Sequence, residues 1–109
     1  MKLPDNAVIA REKLTGYLLL KLTENDKSAF LALAGYTLAN PSQLETDLRQ
    51  QILTREAAFM ESTEYGDKYS IRGELTGPNG HQLNVVTIWM IESASGLTKF
   101  ITLYPAKRT

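Results

Sequence analysis

Hydrophobic positions recur at helical spacing up to about Ala57 and alternate in strand fashion beyond it. Leu14, Tyr17 and Leu18, with the aliphatic stem of Lys21, make one side of a helix predicted over Arg11 to Leu20. The polar run Thr23-Glu24-Asn25-Asp26 breaks it, and Asn25 or Asp26 can cap a second helix. That helix carries Phe30, Leu31, Leu33 and Ala34 on its apolar face, with Gly35 where a left-handed helix end is wanted. Asn40-Pro41-Ser42 opens a third. Ser42 and Glu45 have capping-box spacing, and Leu44, Leu48 and Ile52 recur as a buried stripe.

Four strands are predicted after this point. The first runs over Ala58 to Thr63, and Tyr65-Gly66-Asp67 punctuates it. In the second, Tyr69, Ile71, Gly73 and Leu75 oppose Lys68, Ser70, Arg72 and Glu74. Thr76-Gly77-Pro78-Asn79-Gly80 is a turn, because proline presets φ and Asn-Gly tolerates positive φ. The third strand, Leu83 to Ile91, is apolar on both faces and belongs in the middle of a sheet. Ser93-Ala94-Ser95-Gly96 turns the chain, and Leu97 to Tyr104 forms the last strand before Pro105. Short loops between successive strands imply antiparallel hairpins. The expected class is α+β: about three N-terminal helices packed on one face of a roughly four-stranded antiparallel meander sheet, with residues 1–109 as a single domain. The other face stays partly open.

Composition narrows the class without naming a task. At 43% hydrophobic and 22% charged residues, the chain reads as globular rather than disordered or collagen-like. Twelve basic residues balance twelve acidic ones, which disfavours avid non-specific nucleic-acid binding but leaves room for a local basic strip. The absence of cysteine excludes disulfides, thiolate metal sites and a cysteine nucleophile, and a single histidine argues against a transition-metal site. No metal and no cofactor are therefore expected. The N-terminus lacks an apolar core of signal-peptide length, and Tyr17-Leu18-Leu19-Leu20 falls far short of a span. The reading is cytoplasmic, without a membrane role.

Candidate chemistry comes from polar residues on the sheet. Lys68 and Arg72 lie on one strand face around Ser70, where two cations can hold a phosphodiester; the ordinary alternative is a solvated face with Glu74 pairing Arg72. His81 follows the Asn-Gly turn with a pKa suited to acid–base work, or is simply an exposed hairpin residue. Thr87, Thr102 and Tyr104 offer hydroxyls for a phosphate or a 2′-hydroxyl, and Tyr104 a ring for stacking; β-propensity explains them equally. Trp89 reads as core. Lys27 stands at a helix start, where the helix dipole disfavours a cation.

Taken in order, several segments carry a family likeness: Met1-Lys2-Leu3-Pro4, Lys13-Leu14-Thr15-Gly16-Tyr17-Leu18-Leu19, Asp26-Lys27-Ser28-Ala29-Phe30, Gly35-Tyr36, Tyr65-Gly66-Asp67-Lys68-Tyr69, Leu75-Thr76-Gly77-Pro78-Asn79-Gly80, Val86-Thr87-Ile88-Trp89 and Ile101-Thr102-Leu103-Tyr104-Pro105. Through them the chain resembles an uncharacterised bacterial family, a domain of unknown function. Its helices-then-meander order and its Thr102-Leu103-Tyr104-Pro105 ending look more distantly like the barnase–EndoU–colicin–RelE superfamily of small RNases and toxins. That likeness implies metal-free RNA cleavage. The likeness points to Lys27, Lys68, Thr87, Thr102 and Tyr104; with His81 and Arg72 added from the residue pattern, the expected catalytic residues are Lys27, Lys68, His81, Thr102 and Tyr104, and Arg72 and Thr87 bind substrate. It also implies a small neutralising protein partner. The chain departs from the pattern at Leu20–Asn25, where relatives carry a longer Gly-rich segment with His-Pro, and at Val86, where they carry Arg. Those departures motivate an alternative: a catalytically silent domain that binds a protein partner or forms a homo-oligomer.

Overall fold

Alternation of apolar residues from Ala58 onward produces a four-stranded antiparallel sheet in the order β1-β2-β3-β4. The strands are β1 (Ala58–Thr63), β2 (Gly66–Thr76), β3 (Gln82–Glu92) and β4 (Thr98–Pro105). The computed structural model describes residues 1–24 and 26–106, so the cap expected at Asn25 lies outside the described residues. Three helical segments precede the strands, which makes the class α+β. The apolar β3 is central, flanked by β2 and β4, because it has two faces to bury.

Each helical segment is shorter or less regular than its periodicity suggests. Helix α1 is α-helical only over Arg11–Lys13 and continues as a π-helical turn over Leu14–Leu18, ending before Leu20. Lys21 is exposed, so its stem joins no apolar stripe. Helix α2 spans Ser28–Ala32, and Leu33, expected on its buried face, points to solvent beyond the helix end. At its entry, the Asp26 carboxylate accepts hydrogen bonds from the Ser28 hydroxyl and backbone N–H at 2.8 and 3.3 Å. Helix α3 spans Pro41–Asp47 and widens into a π-helical turn over Leu48–Ile52.

The capping box is not formed. Pro41, lacking an N–H, takes the first helical position and makes Asn40 the cap residue. Ser42, two positions too late, instead accepts a hydrogen bond from Arg11 Nη1 at 3.1 Å. The stripe itself holds: Leu44, Leu48 and Ile52 are fully buried.

These helices cover one face of the sheet. Leu14, Leu18, Leu31, Leu44, Leu48 and Ile52 share a single core with Ile71, Leu75, Leu83, Val85, Trp89, Phe100 and Leu103. Two extended N-terminal stretches tie the layers together. Val8 pairs in parallel with Lys99 on the outer side of β4, and Lys2 bridges Glu56 just before β1. The terminal ammonium of Met1 also forms an ion pair with Glu56.

The β2–β3 turn is docked onto the end of α2. Asn79 donates to Leu33 O from its side chain at 3.0 Å and to Ala34 O from its backbone at 3.3 Å. Gly77 lies so close that a Cβ there would stand 2.0 Å from Ala34 O. Next to this contact the Tyr36 hydroxyl donates to Asp47 Oδ2 at 2.7 Å, and Gln51 bridges both backbone groups of Thr76. Burial and the Asp47 carboxylate together push the Tyr36 phenol well above its ordinary pKa, so it stays a donor.

Candidate functional site

Strand register decides which side chains share the uncovered face. Arg72 pairs with Val86, and Val86 with Tyr104, giving one rung across the sheet. The next rung is Ser70–Ile88–Thr102, and the one after it Lys68–Met90–Lys99. Alternation puts all of these opposite the core row of Ile71, Thr87 and Leu103. Thr102 and Tyr104 share this side by alternation, and a register shift in β4 at Ile101 brings Lys99 onto it as well.

At the first rung the face is concave. A shallow cavity of about 340 Å³ is lined by Met60, Ser70, Arg72, Val86, Tyr104 and Pro105. Tyr104 is 41% exposed there, with its ring accessible for stacking. Met60 was not foreseen. It enters because β1 shifts register between Phe59 and Glu61, which breaks the simple alternation of that strand.

A second cluster stands at the outer edge of β4. Lys27 Nζ donates to Tyr17 Oη at 2.6 Å and to Thr102 Oγ1 at 3.3 Å, while the two hydroxyls are 3.1 Å apart. The Lys27 ammonium, followed by the Thr102 hydroxyl, holds the Tyr17 phenol below its ordinary pKa. Sequence reasoning singled out Lys27 and Thr102 but took Tyr17 for part of an apolar helix face. Its hydroxyl belongs to the polar cluster while its ring packs against the core.

Among the described residues the ion pairs are Met1–Glu56, Arg49–Glu45 and Lys99–Glu92. Lys27, Lys68 and Arg72 take part in none of them, so the pairing of Arg72 with Glu74 weighed from the sequence is absent. Lys2, Arg11, Lys13, Lys21 and Arg55 are likewise outside these pairs, so what sets Lys27, Lys68 and Arg72 apart is their place on the uncovered face or at its β4 edge, where an external anion can reach them.

Other expected residues are placed differently. Thr87 lies on the covered face at 0% exposure, donating to Ile71 O at 3.0 Å and accepting from Trp89 Nε1 at 2.7 Å. It is a core hydroxyl and cannot touch a substrate. Trp89 is core, as its surroundings predict. His81 is exposed in the β2–β3 turn, five residues from Val86, or about 16 Å at strand rise. It does not join the cavity. Lys68 shares the face with Arg72 but stands two rungs away, outside the cavity lining. The expected convergence of two lysines and Tyr104 is therefore corrected to Arg72 with Tyr104, and Lys27 with Thr102 and Tyr17 beside them.

Among the described residues no group of three His, Cys, Asp or Glu side chains is placed to hold a metal ion, and no helix is long and apolar enough to cross a membrane. A family model described as Domain of unknown function (DUF6883) matches residues 2–107, and the chain belongs to that family. Comparison with curated proteins and with solved structures finds no match.

Proposed function

We propose that this member of the family is a small ribonuclease that cleaves RNA without a metal, using the uncovered face of its sheet. The observation carrying this reading is that the uncovered face carries Lys68 and Arg72 on β2 and the exposed Tyr104 on β4, with Lys27 held at its β4 edge by Thr102. Lys27, beside Tyr17, neutralises the scissile phosphate and the charge that builds on its transition state, and Arg72 holds a neighbouring phosphate. Tyr104 and Ser70 position the nucleotide.

The Tyr17 phenol is the proton acceptor, because Lys27 favours its ionised form. In the step, the 2′-oxygen bonds to phosphorus, its proton passes to the Tyr17 phenolate, and the P–O5′ bond breaks. The departing 5′-oxygen takes a proton from water, leaving a 2′,3′-cyclic phosphate. A small neutralising protein that covers this face is the natural partner of such an enzyme.

The test is incubation of purified protein with single-stranded RNA in EDTA, with the product ends identified. Cyclic phosphate ends are expected, with Arg72→Met and Tyr104→Phe at least tenfold slower. The rate rises with pH as Tyr17 ionises. Lys27→Met removes the group that lowers this pKa, so the rising limb moves to higher pH. Intact RNA after long incubation at high protein concentration overturns the proposal.

A second reading, a catalytically silent interaction domain, is favoured by one observation. The cavity is lined largely by apolar groups from Met60, Val86, Pro105 and the Tyr104 ring. Under it the protein leaves RNA intact and co-purifies with a protein partner, and Met60→Glu disrupts that association.

A further inference from the structure

Lys27, Lys68 and Arg72 are spread across the sheet rather than gathered on one point. Arg72 and Lys68 stand on β2 four residues apart, or about 13 Å. Thr102, which holds Lys27, stands on β4 at the intermediate rung, two strands away and so displaced by about 9.5 Å. Lys27 is fixed there by Tyr17 and Thr102, so it is not free to swing towards β2. One phosphate cannot satisfy such a triangle. Successive phosphates of an extended strand can.

Between the cations lie Ser70, Ile88 and Met90, with Tyr104 and Met60 at one end. That is a hydroxyl beside an apolar floor in which Ile88 is almost fully covered by its neighbours and Met90 is half-buried, with an exposed aromatic ring at the end on which unstacked bases can stack. A duplex keeps its bases stacked inside and offers this floor nothing. We infer that the uncovered face is a footprint for single-stranded RNA at least three phosphates long, one phosphate for each of Lys27, Lys68 and Arg72. The inference rests on the proposed ribonuclease reading and adds the form and length of the substrate. It also fits zero net charge, since three local contacts need no excess of basic residues.

The experiment measures binding alone, using fluorescent 2′-O-methyl oligoribonucleotides that cannot form the cyclic product. Affinity is expected to rise at least tenfold between two and six nucleotides, and to be at least tenfold weaker for a duplex of the same length. Each phosphate contact on a single strand contributes about −0.7 to the slope of log K against log salt, so three give about −2. Lys68→Met and Arg72→Met each remove about 0.7 from that slope. Arg11→Met, an exposed change in the helical layer next to Ser42, leaves the slope unchanged and controls for net charge. Melting temperatures of all variants establish that they are folded. Equal affinity for a dinucleotide and a hexamer, or a slope indifferent to Lys68 and Arg72, overturns the inference. Length-dependent binding without cleavage of ordinary RNA sinks the ribonuclease reading and leaves the footprint standing; cleavage without length dependence does the reverse.

Discussion

A threonine in a strand reads the same whether its hydroxyl serves the core or a ligand, and Thr87 illustrates the difference. Its hydroxyl stands between the Ile71 carbonyl and the Trp89 indole N–H, inside a fully buried row. Thr87→Val keeps the shape and strands the indole donor, an unsatisfied buried group that costs about 1–3 kcal/mol. Denaturant unfolding should register that loss, while RNA binding by the folded protein stays at the wild-type level. A binding defect out of proportion to stability would restore Thr87 to the site. Alternation alone identified the odd-numbered β3 residues as one face, but which face the helices would cover was not written in that strand. Tyr17 escaped detection for a related reason. An aromatic at helical spacing signals core, and its ring does pack there, yet its hydroxyl reaches a threonine 85 residues away.

At the scale of elements, the strands were legible and the helix ends were not. Strand β1 begins and ends at Ala58 and Thr63 as expected, and Gly77-Pro78-Asn79-Gly80 forms the expected turn between β2 and β3. Period-two patterning and turn chemistry are local, so they survive without knowledge of the fold. Helix ends are settled by tertiary contacts, as when Ser42 turns to Arg11 instead of capping. The π-helical turns at Leu14–Leu18 and Leu48–Ile52 follow no local signal that distinguishes them from α-helix. The turn also does more than reverse the chain, since Gly77 lets β2 reach the end of α2. Gly77→Ala places a methyl against Ala34 O and Cβ, neither of which can rotate away, so relief requires the turn to lift from the helix. A loss of about 1–3 kcal/mol is expected, comparable to overpacking a core. Thermal melting checks it, and Gly80→Ala is the contrasting case: no heavy atom lies within 4 Å of its Cβ, but its φ of +86° makes the cost purely conformational, about 1 kcal/mol.

The whole molecule divides into a firmly paired centre and a lightly held rim, and the candidate site crosses the boundary. Strands β2 and β3 pair along eleven residues each, from Gly66 opposite Glu92 to Thr76 opposite Gln82, and their covered face is sealed by α3 and the turn that follows it. Arg72 and Ser70 are mounted on that centre. Lys27 is not: it precedes the five-residue α2, and it meets β4 through one hydrogen bond to Thr102 and, by way of Tyr17, a hydroxyl–hydroxyl contact to the same residue. The N-terminal stretch has few ladder bonds, at Lys2 and Val8, but Leu3, Ala7 and Ile9 are buried in the core and the Met1–Glu56 ion pair adds to them. Local opening costs least where few buried contacts and few ladder bonds are lost. Hydrogen exchange should therefore be slowest at the paired amides of β2 and β3, intermediate at Phe100, whose amide bonds Val8, and fast from Leu20 to Glu24. Occupation by RNA adds a contact at Lys27 and so should slow exchange in α2 and its approach more than in β2, where little freedom remains to be lost. If protection on binding appeared only in β2 and β3, Lys27 would not be touching the ligand, and the two halves of the site would have to be separated.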